Sequence, residues 1–204
     1  MNDSVKQPVL RRVLVADDEH LVAIGIASSL NSLGIEVVGP VAEGKSAIEV
    51  GRSSQPDLAL LDIRMPGLDG LKCAAALWTE LEIPSIIVSA YSTQNYVDEA
   101  QQPGVFGYLL KPVTTESLKA AVSVGWSRAC TQLWQSKRIN QLEETLAVRK
   151  TVEMAKWRII EARRVSEAEA HSLLQRSARN DRRRLVDVAA EVLAHQNHPL
   201  LASA

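Results

Sequence analysis

Residues Arg12-Val-Leu-Val-Ala16 run directly into Asp17-Asp18-Glu19, and this stretch decides the fold. It is a short apolar run that ends in carboxylates, as a buried parallel strand does when its carboxyl end opens on a site. The pattern recurs twice. Asp57-Leu-Ala-Leu-Leu61 runs into Asp62, and Gly107-Tyr-Leu-Leu110 runs into Lys111-Pro112. Ligands of an open parallel sheet bind outside the carboxyl ends of its strands. Strands that end in Asp, Asp and Lys therefore predict one site with several carboxylates and an ammonium.

Further short runs rich in Val, Ile and Leu complete a set at about 12–17, 35–39, 57–62, 84–89 and 105–110. Amphipathic stretches at about 20–32, 44–53, 69–80, 93–101 and 115–125 lie between and after them. Five such repeats predict an α/β domain with a five-stranded, doubly wound parallel sheet and right-handed crossovers. Gly34, Gly39-Pro40, Pro56, Pro66-Gly67 and Pro103-Gly104 punctuate it.

The chemistry of the site follows from its charges. Two carboxylates about 4–5 Å apart repel by about 3–4 kcal/mol at an effective dielectric of about 20. Three together need a partner, or one must take up a proton. A hard divalent cation suits them, and Mg²⁺ binds to one or two carboxylates while keeping waters and phosphate oxygens. Lys111 offers a point charge to a phosphoryl oxygen or a carboxylate. The constellation reads as a Mg²⁺-assisted phosphoryl site with one Asp as nucleophile. Any one of these Asp residues taken alone could equally cap a helix; the set, in this order and on these elements, points to the site.

After about residue 125 the strand signal vanishes. Residues 126–163 contain no Gly or Pro, and Leu133, Ile139, Leu142, Leu146, Val148 and Val152 recur at three- and four-residue steps. That spacing predicts a long helix with an apolar seam, for a coiled-coil dimer or for packing on its own domain. Asn140 and Arg149 interrupt the heptad register. Residues 150–197 read as a short helical bundle. Ser166 and Glu169 form a capping box. Asp181 is expected to start a further helix with Leu185, Val188, Ala189, Val192 and Leu193 on one face, ended by Pro199.

Charge divides the chain in the same place. Residues 1–125 carry 9 Lys/Arg against 15 Asp/Glu, and residues 126–204 carry 14 against 9. An acidic first part and a basic second part imply different partners. The two cysteines, Cys73 and Cys130, form neither a disulfide framework nor a metal motif and fit a reducing cytosol. The polar stretch from Met1 to Pro8 lacks the apolar core of a signal peptide, and no window approaches 18 unbroken apolar residues. A cytoplasmic protein without a membrane partner is expected.

Val13-Leu-Val-Ala-Asp-Asp-Glu19, Leu60-Leu-Asp-Ile-Arg-Met-Pro-Gly67, Ile87-Val-Ser-Ala90 and Tyr108-Leu-Leu-Lys-Pro112 together resemble the receiver domain of two-component response regulators, over roughly residues 9–125. The resemblance implies a flavodoxin-like fold with Asp62 as phospho-acceptor. It implies direct Mg²⁺ ligation by Asp18, Asp62 and the backbone carbonyl of Arg64, with Asp17 acting through water. Ser89 and Lys111 would hold the phosphoryl oxygens, Tyr108 would follow Ser89 as a switch, and the small Ala90 would leave the group accessible. A cis Lys111–Pro112 bond is expected on the same ground. The implied partner is a sensor histidine kinase. The implied chemistry stops at autophosphorylation from a phosphodonor and slow self-dephosphorylation, so the chain is not read as an enzyme.

Arg176, Arg179, Arg182, Arg183 and Arg184 place five guanidiniums within nine residues, with Arg176, Arg179 and Arg183 on one helical stripe. Guanidiniums suit phosphate oxygens and stack on unpaired bases, although an Arg-rich helix face can also simply be solvated. Val152-Glu-Met-Ala-Lys-Trp-Arg-Ile-Ile160, Ser166-Glu-Ala-Glu-Ala170, Leu173-Leu174 and Leu185-Val-Asp-Val-Ala189 resemble the ANTAR domain, a three-helix RNA-binding module of transcription antitermination regulators. With it come Lys156, Arg163 and Arg164 as further RNA-binding candidates. The expected domains are a receiver over 9–125, a helical linker over 126–147 and an ANTAR-like module over 148–197. The chain departs from the family where Trp157 replaces Gly, His171 replaces an aromatic and Arg179 replaces an apolar residue. Two outputs stay open: phosphorylation-controlled binding of RNA hairpins by a homodimer, or a dimerisation or protein-interaction module that has lost RNA binding.

Overall fold

The computed structural model describes residues 8–90, 102–195 and 198–202. Strands β1 (Arg12–Ala16), β2 (Glu36–Val41), β3 (Leu58–Asp62), β4 (Ser85–Ser89) and β5 (Val105–Leu110) form one sheet in the order β2-β1-β3-β4-β5. Every pairing is parallel. The helices are α1 (His20–Ser32), α2 (Gly44–Ser54), α3 (Gly70–Leu81), α4 (Thr115–Arg163), α5 (Glu167–Asn180) and α6 (Leu185–Ala194), followed by a 3₁₀ turn, Pro199–Leu201. The helix expected over about 93–101 lies outside the described residues.

The sheet is apolar on both faces because both are covered. Val13, Val15, Leu58, Leu60, Ile86 and Val88 pack with Ala23, Ile26 and Leu30 of α1 and with Leu118 and Val122 of α4. Leu14, Ala16, Ala59, Leu61 and Ile87 point the other way, onto Ala47 of α2 and Cys73, Ala74 and Leu77 of α3. Successive side chains alternate between these two cores, as the strand pleat requires. The central strands β3 and β4 are buried at every position, which is why they read as unbroken apolar runs.

The structure departs from the sequence reading in four places. β2 continues through Gly39-Pro40 instead of stopping there. Leu14 pairs with Val38 but Ala16 with Val41, so a bulge absorbs the proline. On an edge strand the missing N–H costs no ladder bond. Second, the stretches at 115–125 and 126–163 are one helix. A Cβ on Gly125 would come within 2.8 Å of Ile86 Cδ1, so this glycine permits close approach to the sheet and breaks nothing. Third, Asp181 ends α5 rather than starting α6, because Arg182 turns left-handed with φ 53°. Fourth, α6 stops at Ala194, before Pro199, which opens the 3₁₀ turn instead.

The chain divides into two compact units, Met1–Trp134 and Gln135–Ala204, with α4 running through the division. The second unit has its own core. Val152, Ala155 and Ile159 of α4 meet Ala170, Leu174 and Ala178 of α5 and Val188, Ala189 and Val192 of α6. The expected capping box is present: Ser166 Oγ accepts from Glu169 N, and the Glu169 carboxylate accepts from Ser166 N. At about 3.6 residues per turn, Ile139, Leu142, Leu146, Met154 and Trp157 fall on the α4 face opposite the residues that enter this core. All five are exposed, Trp157 by 68%. Among the described residues, no helix is long and apolar enough to cross a membrane.

Leu174 is fully buried at the centre of the second core. Leu174→Ala is expected to destabilise that unit by about 2–5 kcal/mol. Urea denaturation monitored by hydrogen exchange should show earlier opening of α5 and α6, with the β3 and β4 amides unchanged.

Candidate functional site

Parallel registry brings the strand ends together. Ala16 pairs with Leu61, Asp62 with Val88 and Ser89 with Leu110. Lys111 N donates to Ser89 O at 2.8 Å and Asp17 N to Val41 O at 2.9 Å, so both residues remain tied to the sheet as the chain leaves it. The Lys111–Pro112 peptide bond is cis. The sequence reading missed Gly70. A Cβ there would lie 2.1 Å from the carbonyl oxygen of Asp62, so the first turn of α3 can seat against the site only with glycine. The signal available was a Gly directly after Asp69, the N-cap that accepts from Lys72 N.

The expected carboxylates and lysine converge. Lys111 Nζ lies 3.0 Å from Asp17 Oδ2, 2.9 Å from Asp62 Oδ1 and 2.8 Å from Glu19 Oε1. Glu19 was not among the expected site residues. Asp17 and Asp62 are buried, while Asp18 and Glu19 are exposed. Burial alone would lower the Lys111 pKa, but hydrogen bonds to Asp62, Glu19 and Asp17 outweigh it and hold the ammonium charged. The Glu19 carboxyl is held low by its hydrogen bond and charge contact with Lys111. The Asp17 carboxyl is pushed up by burial despite Lys111 and the backbone N–H of Glu19.

The donor set fits a hard cation. One carboxylate oxygen each from Asp17, Asp18 and Asp62 lie within 4.8 Å of one another. Asp17 Oδ2 is buried and, although close to the ammonium, makes no hydrogen bond of acceptable angle. An all-oxygen set with an unused lone pair suits Mg²⁺ and does not suit a soft metal. Arg64 N donates to Asp62 Oδ2 at 2.8 Å, which places the Arg64 backbone beside the cluster.

Around this centre, Ser89 is buried at the end of β4 and Ala90 after it is exposed. Tyr108 is half-buried against the α2–α3 core.

The cations expected to meet RNA have different fates. Lys156 is not on the surface: it is 6% exposed, and its Nζ lies 2.8 Å from Glu153 Oε1 and 2.6 Å from Glu167 Oε1. Arg183 is paired with Glu191 and Arg184 with Asp187, each at 2.8 Å. Arg163 donates to the carbonyl of Ala202. Arg164 and Arg182 are exposed at left-handed positions, φ 55° and 53°. Arg176 and Arg179 are exposed on α5, where they line an open cavity of about 360 Å³. His171 is half-buried and hydrogen-bonded to Gln175.

A raised carboxyl pKa stabilises the fold fully only below the ordinary value, 3.8 for Asp17, and that stability is lost as pH rises through the folded value. At neutral pH the buried Asp17 carboxyl is therefore a cost. Asp17→Asn keeps an acceptor for Glu19 N and removes that cost. The variant is expected to melt at a higher temperature than wild type in chelator at pH 7 and to lose any stabilisation by added Mg²⁺. Thermal melts with and without Mg²⁺ check both.

Residues 13–123 match the response regulator receiver domain and residues 140–193 match the ANTAR domain. The transcriptional regulatory protein PdtaR of Mycobacterium tuberculosis is 33% identical over 185 residues, which cover 91% of this chain and 90% of that protein. The signal receiver domain of NarL from M. tuberculosis superposes with a TM-score of 0.53 at 38% identity, covering 58% of this chain and 98% of that one. The receiver domain of a modulated diguanylate cyclase from Desulfovibrio desulfuricans gives 0.56 at 30% identity, covering 61% and 99%. The fold, the acidic strand ends and these likenesses agree: the chain belongs to the response regulators and joins a receiver domain to an ANTAR output.

Proposed function

We propose that this response regulator accepts a phosphoryl group on Asp62 from a sensor histidine kinase and thereby controls an RNA-binding, antiterminating output in the cytoplasm. The observation that carries the reading is the Lys111 ammonium 2.9 Å from a buried Asp62 that shares its pocket with two further carboxylates. In the transfer, an Asp62 carboxylate oxygen attacks phosphorus in line. The P–O bond forms as the P–N bond to the kinase imidazole breaks, its electron pair staying on nitrogen. Such transfer needs positioning and charge neutralisation more than covalent help from the protein. Lys111 meets one phosphoryl oxygen, the Ser89 hydroxyl another, and Ala90 leaves the approach open. Asp18, Asp62 and the Arg64 carbonyl would hold Mg²⁺, with Asp17 acting through water, and the ion would supply the remaining neutralisation.

The output follows from the switch. Ser89 drawn toward the phosphoryl group lets Tyr108 follow, a local charge event that biases a two-state surface. The proposed receiver spans 9–125, the linker 126–147 and the output 148–197. A second copy of the chain covers the α4 stripe of Ile139, Leu142 and Leu146 in the phosphorylated state. Two tethered output modules then gain effective concentration on a transcript with two hairpins.

One observation favours a second reading. The stripe extends to Met154 and Trp157, both exposed, so the helical module could serve dimerisation or protein contact alone. Salt-dependent binding of RNA hairpins separates the two.

Asp62→Asn is expected to abolish Mg²⁺-dependent, acid-labile labelling by a small phosphodonor; retained labelling places the acceptor elsewhere. Leu142→Glu with Leu146→Glu is expected to leave labelling intact and to keep the labelled protein monomeric in sedimentation velocity. A dimer in that double variant moves the interface off this stripe.

A further inference from the structure

The α5 residues His171, Gln175 and Arg179 follow one another at four-residue steps, so their side chains share one helix face. They form a hydrogen-bonded ladder. Arg179 Nη2 donates to Gln175 Oε1 at 3.2 Å, and Gln175 Nε2 lies 2.9 Å from His171 Nε2. The chemistry fixes the direction of both bonds. A guanidinium offers only donors, so the amide atom facing it is the oxygen. The amide nitrogen then donates to His171, which accepts at Nε2 and carries its proton on Nδ1. His171 thus orients Gln175, and Gln175 orients Arg179.

Ser172, Gln175, Arg176, Arg179 and Asn180 line the α5 cavity of about 360 Å³. Among the described residues, no carboxylate lines it. This sets the face apart from Lys156, Arg183 and Arg184, each of which faces a carboxylate within 3 Å; Arg164 and Arg182 are exposed too, but neither lines this cavity. A guanidinium already closed on a carboxylate offers little field to a phosphate. Arg176 and Arg179 keep theirs, and Arg179 is held in place by a neutral partner.

We propose that this face of α5, from His171 to Asn180, is the surface on which the module holds RNA. Arg176 and Arg179 grip the phosphodiester backbone of a hairpin, and Gln175, with Ser172 and Asn180, meets the edges of unpaired loop bases. The proposal rests on the RNA-binding reading above and adds its location. Guanidinium forks match phosphate oxygens, and amide and hydroxyl groups read bases that are splayed out of pairing. Gln175 serves as a positioning residue for Arg179.

The test uses the full chain after phosphodonor treatment and a pool of hairpin RNAs with randomised loops, enriched on the wild-type protein and measured by filter binding against KCl concentration. Arg176→Gln and Arg179→Met are each expected to weaken the enriched hairpin roughly tenfold and to lower the slope of log K against log salt by about 1. Gln175→Leu removes no charge, so it is expected to weaken binding with the slope unchanged. Lys137→Gln removes an exposed charge on α4 and is expected to change affinity less than twofold. All four positions lie outside the buried core, and circular dichroism verifies the helices. If the Arg176→Gln, Arg179→Met double variant binds like wild type, or if Lys137→Gln weakens binding as much, the face is wrong and RNA binding stands. Equal affinity for duplex DNA, lost in the same variants, keeps the face and overturns RNA as its ligand. If no hairpin is enriched by the wild-type protein, the RNA-binding reading itself fails and the location falls with it.

Discussion

The ammonium of Lys111 makes the carboxyl end of the sheet possible. Asp17 and Asp62 are buried there, close to each other and to Asp18. Without a cation this arrangement repels itself, and burial deepens the penalty. Lys111 reaches Asp17, Glu19 and Asp62 together, and it does so because β5 ends beside β4 in fixed registry with Ser89. The resting site is charge-compensated only in part: one ammonium pairs with three carboxylates, Asp18 adds a fourth to the acidic cluster, and Asp17 Oδ2 keeps an unused lone pair. On the proposed reading, a phosphoryl group on Asp62 would change that competition, adding oxygens for Lys111 to follow and altering what Asp62 itself can offer. The electrostatics that complete the fold would then also make it responsive.

α4 carries three kinds of surface in one helix. Leu118 and Val122 belong to the receiver core, Val152, Ala155 and Ile159 to the output core, and residues 134–150 are exposed throughout. The absence of Gly and Pro from 126–163 keeps the hydrogen-bond ladder unbroken. An exposed apolar stripe on such a helix is costly in water, and a second copy offers a matching one. The stripe sits opposite the output core, so covering it leaves α5 free.

The features legible in the sequence rest on local periodicity. Buried strands with covered faces are apolar throughout, and functional residues sit where such runs stop, so the sheet and the grouping of Asp17, Asp18, Asp62 and Lys111 could be read directly. Features that depend on distant atoms could not. Gly70 matters because of a carbonyl eight residues earlier. Glu19 stands in the motif without an assigned role, yet it ion-pairs with Lys111 at the end of a distant strand. Asp181 carries a good N-cap side chain, but the left-handed Arg182 after it ends α5 and delays α6 to Leu185. Lys156 looked like a surface cation because lysines usually are; its neighbours Glu153 and Glu167 let it be buried.

That last case bears on how basic surfaces are interpreted. A count of arginines and lysines measures formal charge, whereas a phosphate responds to the field left after local pairing. In the second half of this chain the two differ sharply. Within the Arg176–Arg184 run, Arg183 and Arg184 face carboxylates supplied by α6; these pairs join the α5–α6 turn to α6. Arg176 and Arg179 sit one to two turns earlier, where no acid among the described residues lines their cavity. The residue that holds Arg179 is an amide, which orients a guanidinium without neutralising it. Compensated charge thus builds the module, and uncompensated charge, held in position, is what remains for a ligand.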